Sequence, residues 1–391
     1  CSVRRQRQMC IRDRIYTFKL NKDAKWSNGD PVTADDFVWS WKRILTASLG
    51  SQYPDMLYYV KNAESYHLGE IDDFSKVGVK AIDDSTLEVE LRSPTSFFIK
   101  LLHHYSTYPV HKETVLKFGP IDDRYGEWTR PGNFVCNGPF QLKSWELNKK
   151  IVVERNPFYW DADEVKLNEM HFYPVQNEST EDRMFRAGQL HVTNVVPLEK
   201  CPVYIEENNP NLRIEPYMGT YFYRTNTTID ALKDKRVRKA LAFAINRKQV
   251  VERVSKCGQQ PAYSFTPPGS DGYFPETSIP FDPDLAKTLL SEAGYPNGEG
   301  FPKLEILFNT QEGHRKIALA IQQMWQENLG IEVELVNQDW KVYLSRERVG
   351  DFQISRAGWI GDYEDPNTFL DTLRPNRGNN KTGWENPKYD E

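Results

Sequence analysis

At 391 residues the chain is longer than one hydrophobic core usually serves, so two or three lobes are expected. The net charge is -5, and five arginines (Arg4, Arg5, Arg7, Arg12, Arg14) crowd the first 14 residues against Asp13, which leaves the body more acidic still and argues against a nucleic-acid partner. No apolar run reaches the ~18 residues of a membrane span, and the five cysteines (Cys1, Cys10, Cys136, Cys201, Cys257) form no CxxC or Cys/His pair for zinc, while their odd number gives no disulfide framework and leaves the compartment open.

Residues 1–14 have neither an apolar period nor the apolar h-region of a secretory signal, and Cys1 has no lipobox before it. They read as a segment foreign to the fold, with a basic interaction tail as the alternative. Ile15–Leu20 alternates as a strand, starting abruptly, and the other end stops at Asn386–Glu391 without a closing element, so the chain reads as an internal piece of a longer protein. Asn28-Gly29 turns, and Thr33 N-caps a helix over 34–44, with Asp35 and Asp36 in the first turn and Phe37, Trp41 and Ile44 on one face. Val77–Ile82 and Thr86–Leu91 make a hairpin around Asp83-Asp84-Ser85, and Ser96–His104 a short helix that plugs the sheet.

Strands follow over 137–145, 151–154 and 170–173, a helix over 179–187, and a strand over 189–195. Tyr217–Asn226 reads as an aromatic strand crossing between lobes. After helices over 235–244 and 247–254 the pattern becomes helix 283–293 capped by Gly294, strand 304–309, helix 315–329 ended by Gly330, strand 331–336, helix 340–348 and strand 352–355. That alternation predicts α/β structure with a partly parallel sheet.

The last strand delivers Arg356-Ala-Gly-Trp-Ile-Gly-Asp-Tyr-Glu-Asp-Pro366, which Gly361 and Pro366 turn into a loop. Arg356, Trp359 and Asp362 offer a guanidinium, an indole and a carboxylate within seven residues, a set suited to a small zwitterion: Arg356 for its carboxylate, Asp362 for its ammonium, Trp359 as an apolar cover. A strand end with a surface ion pair and a core tryptophan is the competing reading. Likewise Trp340 and Tyr217 read as core residues when taken alone, His314 as a helix-start residue, and Tyr53 as one of several packing tyrosines.

Five blocks in order carry a resemblance: Asp23-Ala-Lys-Trp-Ser-Asn-Gly-Asp-Pro-Val-Thr-Ala-Asp-Asp-Phe37, Asn137-Gly-Pro-Phe140, Glu154-Arg-Asn-Pro-Phe-Tyr-Trp160, Asp234-Lys-Arg-Val-Arg-Lys-Ala-Leu241 and Arg356-Ala-Gly-Trp359. From residue 15 onward the chain resembles the family 5 extracellular solute-binding proteins of peptide ABC transporters. The resemblance implies a two-lobe periplasmic binding protein fold (type II, cluster C-like) with an extra small domain over 15–115, the central part of lobe one over 116–218, and an incomplete lobe two over 219–391. It implies an oligopeptide ligand, with another solute such as a dipeptide or murein peptide as the alternative. It also implies permease subunits as partners, a periplasmic or extracellular location with lipid anchoring left open, a monomer, and no cofactor or metal.

Residue by residue, the resemblance assigns the ligand's α-ammonium to Asp362 and its main-chain pairing to Ala357, Gly358, Trp359 and Ile360, the ligand adding as a β-strand. Arg356 and His314 fall at the ligand's carboxylate end, Tyr53 at its backbone, and Trp340, Tyr217 and Asn309 on the walls of side-chain pockets. Glu347 stands where a second pocket arginine is expected. No G-x-S-x-G, H-E-x-x-H or P-loop is present, and His103, His104 and His111 lack the acidic spacing of a zinc site, so binding is expected and catalysis is not.

Overall fold

A computed structural model of the chain describes residues 14–375 and 379–390. The reading of residues 1–14 therefore falls, Arg14 excepted, outside the described residues, as do Cys1 and Cys10. The chain divides into two units, the first ending at Pro174 and the second beginning at Val175.

In the first unit, strands β1 (Ile15–Lys19), β2 (Val79–Asp83) and β3 (Thr86–Glu90) form an antiparallel sheet ordered β1-β3-β2. Helix α1 (Ala34–Leu45) starts where expected: the Asp36 carboxylate accepts from the Thr33 backbone N–H at 2.8 Å, satisfying a donor the helix cannot. Its Trp41 is buried with Leu57, Val79, Val89 and Phe98, and the indole N–H donates to the Thr107 carbonyl at 3.0 Å. The expected helix over 96–104 shrinks to Phe98–Leu101, with a further 3-10 turn at Tyr105–Thr107. A second antiparallel sheet of the same unit runs β4 (Phe140–Glu146), β5 (Lys150–Arg155), β6 (Glu169–Phe172).

The second unit opens on helix α2 (Glu178–Arg186). The strand expected over 189–195 does not form. That stretch meets no neighbouring strand; instead the Gln189 N–H closes the helix end on the Met184 carbonyl, and the Asn194 N–H donates to the Glu181 carboxylate at 2.7 Å. The unit's sheet has the order β7-β10-β8-β9, from β7 (Gly219–Thr225), β8 (Leu304–Asn309), β9 (Val333–Gln338) and β10 (Ile354–Ile360). β8 runs parallel to both β9 and β10, while β7 pairs antiparallel with β10 along its whole length. β7, expected to cross between lobes, has all its strand pairing inside this unit.

Helices α3 (Lys235–Phe243), α4 (Pro283–Glu292), α5 (Glu312–Leu329) and α6 (Trp340–Val349) accompany the sheet. The segment after α3 begins as a helix at Arg247–Gln249 and widens into a π-turn over Val250–Ser255. Ala318, Ile321, Trp325 and Leu329 of α5 recur on one helical face and are buried against Leu241, Leu290, Ile306 and Ile354. The Trp325 indole donates to the Leu241 carbonyl at 2.8 Å, so this core side chain leaves no buried donor open. Each such aliphatic side chain contributes about 1.5–3 kcal/mol by leaving water, which is what holds three parallel strands and their helices in one register.

The cysteine reading needs correction. Cys201 and Cys257, 56 residues apart, are disulfide-bonded with a Cα–Cα distance of 5.5 Å. Sequence spacing could not show it, because the two meet only when the helix Cys201–Glu206 packs near the turn after the π-segment.

Candidate functional site

Three parallel strands end on one edge of the second unit's sheet, and β7 begins there, because Gly219 pairs with Ile360. Loops leaving the carboxyl ends of parallel strands are where an open α/β sheet presents its chemistry. Asn309 ends β8, His314 lies in the first turn of α5, Trp340 opens α6, Arg356–Ile360 end β10, and Asp362 follows in the turn. Tyr217 stands two residues before β7. The second unit thus brings ten of the eleven expected site residues to one edge. The eleventh, Tyr53, lies in the first unit, its ring 5.1 Å from His104 and 5.9 Å from Tyr105.

The stretch from Arg356 is not yet a loop. β10 continues through Ile360, and the turn starts at Gly361. The ladder explains why: Ile354 to Ile360 pair without a break with Thr225 to Gly219. Gln353 accepts from Asn226 and the Gly361 N–H donates to Met218, so the odd residues of β10 bond toward β7. By the alternation of an antiparallel pair, the N–H and C=O groups of Arg356, Gly358 and Ile360 point the other way. On that side β8 pairs only with Ile354 and Ser355. The Tyr343 hydroxyl donates to the Arg356 carbonyl. Past it, the Gly358 and Ile360 edge meets no strand among the described residues. Both are exposed, and a Cβ added at Gly358 would touch only the Thr220 carbonyl, at 3.9 Å. A main chain can approach there.

Side chains around this edge divide by charge. The Arg356 guanidinium lies 5.4 Å from the centre of the Tyr221 ring, and its Nε makes no hydrogen bond. Tyr221 in turn approaches His314, hydroxyl to Nδ1 at 3.4 Å. Burial, and then the neighbouring Arg356, push the His314 imidazole down to about 3. His314 is therefore neutral at physiological pH, and the positive charge at this end belongs to Arg356. Past the strand end, burial raises the Asp362 carboxyl to about 6. A carboxylate that costs free energy to ionise gains from any cation brought to it.

Trp340 and Tyr217 are 53% and 70% exposed, which overturns the core reading of both. The Trp340 ring stacks on Tyr343 at 5.6 Å. Ile360 is 62% exposed, so three large apolar side chains face solvent at one edge. Asn309 holds a buried Oδ1 without a partner. Glu347 lies elsewhere: it is buried, and it accepts from Arg224 at 2.5 Å and from Ser355 at 2.8 Å. Ser355 and Arg356 project to opposite faces of β10, so Glu347 lies on the other face of the strand from Arg356. Sequence reading missed Tyr221 and Tyr343; the alternation of aromatics in 217–223 was the signal available for the first. A cavity of about 410 Å³, lined by Tyr221, Tyr223, Leu241, Ile321 and Trp325 among others, shares only Tyr221 with this edge and is largely apolar.

The model of the family described as bacterial extracellular solute-binding proteins, family 5 middle, matches residues 12–381. The chain belongs to this family. This solute-binding protein is 39% identical to the periplasmic oligopeptide-binding protein of Salmonella typhimurium, across 96% of the chain and 70% of that relative. Among solved structures it is similar to the murein tripeptide binding protein of Escherichia coli, with a TM-score of 0.90 and 38% identity, over 97% of this chain and 75% of the other. It is also similar to the oligopeptide-binding protein of Haemophilus influenzae in complex with RPPGFSPFR, with a TM-score of 0.88 and 34% identity, over 97% of this chain and 74% of the other. The solute-binding protein has the two-lobe fold of these neighbours. Its disulfide is the chemistry of an oxidising compartment, in keeping with an extracellular family.

Proposed function

We propose that this solute-binding protein is the receptor of a peptide ABC transporter, which captures oligopeptides between its two lobes and hands them to membrane permease subunits. The observation that carries the reading is the open edge of β10 at Gly358 and Ile360, closed at its far end by Asp362. An extended peptide adding to that edge would use main-chain hydrogen bonds, which are the same for every sequence. Its α-ammonium would meet the Asp362 carboxylate, and its carboxylate the Arg356 guanidinium, with neutral His314 as a hydrogen-bonding neighbour. Trp340, Tyr217 and Asn309 would line side-chain pockets in which water accommodates different side chains at low cost.

Tyr53 is the contact expected from the first unit. The domain boundaries at 115 and 218, a monomeric receptor acting without cofactor or catalysis, and a periplasmic or extracellular location belong to the same reading. It is supported by relatives whose names specify oligopeptides. The similarity to a murein tripeptide binding protein favours a short peptide as the second candidate ligand.

The test is calorimetric titration with tri-alanine and N-acetyl-tri-alanine. Asp362→Ala is expected to weaken tri-alanine by about 10- to 100-fold, the scale of a lost charge-assisted hydrogen bond, and to leave the acetylated peptide as it was. Equal loss for both peptides would remove Asp362 from the amine site.

A further inference from the structure

A buried threonine hydroxyl holds the turn that carries Asp362. Thr368, the second residue of helix α7 (Asn367–Leu370), is 3% exposed. Its Oγ1 accepts from the backbone N–H of Asp362 at 3.0 Å and from the Trp359 indole N–H at 3.4 Å. One hydroxyl therefore ties the main chain of the acid to the side chain of Trp359 near the end of β10. Phe369 beside it is fully buried, its ring 5.6 Å from Phe265, which in turn lies 4.8 Å from Phe222 of β7. The post to which the turn is fastened is thus anchored in the sheet.

The other side of the turn is gripped as well. The Gly361 N–H donates to the Met218 carbonyl at 2.8 Å. A Cβ at Gly361 would fall 2.1 Å from Met218 Cε and 3.1 Å from Thr368 Cγ2. The chain from Trp359 to Asp362 has no slack between Met218 and Thr368.

We propose that Thr368 is a positioning residue for recognition of the ligand's amine. Its hydroxyl holds Trp359 and Asp362 as one unit, so the carboxylate is already placed when an extended ligand adds to β10 and no ordering is left to be done on binding. The proposal rests on the reading of Asp362 as the amine anchor.

The experiment uses the full chain and the same pair of peptides, tri-alanine and N-acetyl-tri-alanine. Thr368→Val keeps the shape and removes the acceptor; Thr368→Ser keeps the acceptor. The expected result is about a tenfold loss for tri-alanine in Thr368→Val, no change for the acetylated peptide, and recovery of both values in Thr368→Ser. Trp359→Phe removes one of the two donors and leaves Thr368 in place; it is expected to lower the preference for the free amine a few-fold, and so tests the lock even where the valine variant folds poorly. Equal losses for the two peptides in Thr368→Val, or an unchanged preference in both variants, would overturn the proposal. If Asp362→Ala still abolishes the preference in those cases, the amine site stands without Thr368. If Asp362→Ala leaves the preference intact, both fall.

Discussion

Glu347 and Asp362 are two acids served by the same strand, and they are treated in opposite ways. Glu347 sits on the Ser355 face of β10, opposite to Arg356, where Arg224 donates at 2.5 Å and Ser355 at 2.8 Å. Its charge is matched within the fold. Asp362 sits past the open end, where burial lifts its carboxyl to about 6. One acid takes its partners from two strands, Arg224 of β7 and Ser355 of β10; the other is made costly to ionise by burial. Burial alone does not separate a structural acid from a ligand-binding one: Glu347, the more deeply buried, is ion-paired inside the fold, while half-buried Asp362 lies in the turn past the open strand end.

The contrast breaks first at Glu347. Glu347→Ala leaves Arg224 buried opposite nothing, and removing one partner of a buried pair costs about 3–5 kcal/mol. Denaturant unfolding should register that loss, while the free-amine preference measured on the folded protein stays as it was. Replacing both Arg224 and Glu347 by leucine should recover most of the stability. A Glu347→Ala variant that changes amine preference at unchanged stability would place the acid at the wrong end of the comparison.

The disulfide gives the next effect down. Cys201 and Cys257 close a loop of 56 residues that contains β7 and α3. The expected cost of Cys201→Ser is about 2–4 kcal/mol, visible as a lower Tm in oxidised protein. Reduction of the parent protein should give the same Tm as the variant. A Tm unaffected by either change would mean that the closed loop gives no advantage over the open one.

Much of the fold was legible because it is local. The period of Ala318, Ile321, Trp325 and Leu329 gives α5, and the apolar run at 304–308 gives β8. What failed was non-local. Gly361 and Pro366 suggested a loop from Arg356 onward, yet the ladder to β7, more than 100 residues earlier, keeps Arg356–Ile360 extended. The run at 189–195 alternates well enough for a strand but finds no partner, and a strand without a partner does not form. At the site, the sequence offered Arg356, Trp359 and Asp362 as a set. It could not show that His314 is neutral, because that follows from burial beside Arg356. Nor could it single out Thr368, one buried threonine among several, whose role depends on which two donors reach it.

The smallest effect separates the two titrating groups of the site by sign. The Asp362 carboxyl is raised from 3.8 to about 6 in the folded chain. The unfolded chain therefore releases this proton at lower pH, and stability falls as pH rises from about 4 to about 6. His314 is lowered from 6.5 to about 3. Here the unfolded chain binds the proton first, so stability falls as pH drops from about 6.5 toward 3. Asp362→Asn should accordingly stabilise the ligand-free protein above pH 6, by about 1 kcal/mol once solvent screening at this half-buried site is allowed for, and have no such effect near pH 4. His314→Gln should gain relative stability near pH 4 compared with pH 7. Binding supplies the cross-check: affinity for tri-alanine should decline as pH falls through about 6, while N-acetyl-tri-alanine stays level across that step. A flat profile for both peptides, with Asp362→Asn giving no stability gain above pH 6, would show that the carboxyl ionises as freely as one in water, and the contrast with Glu347 would then lose its physical basis.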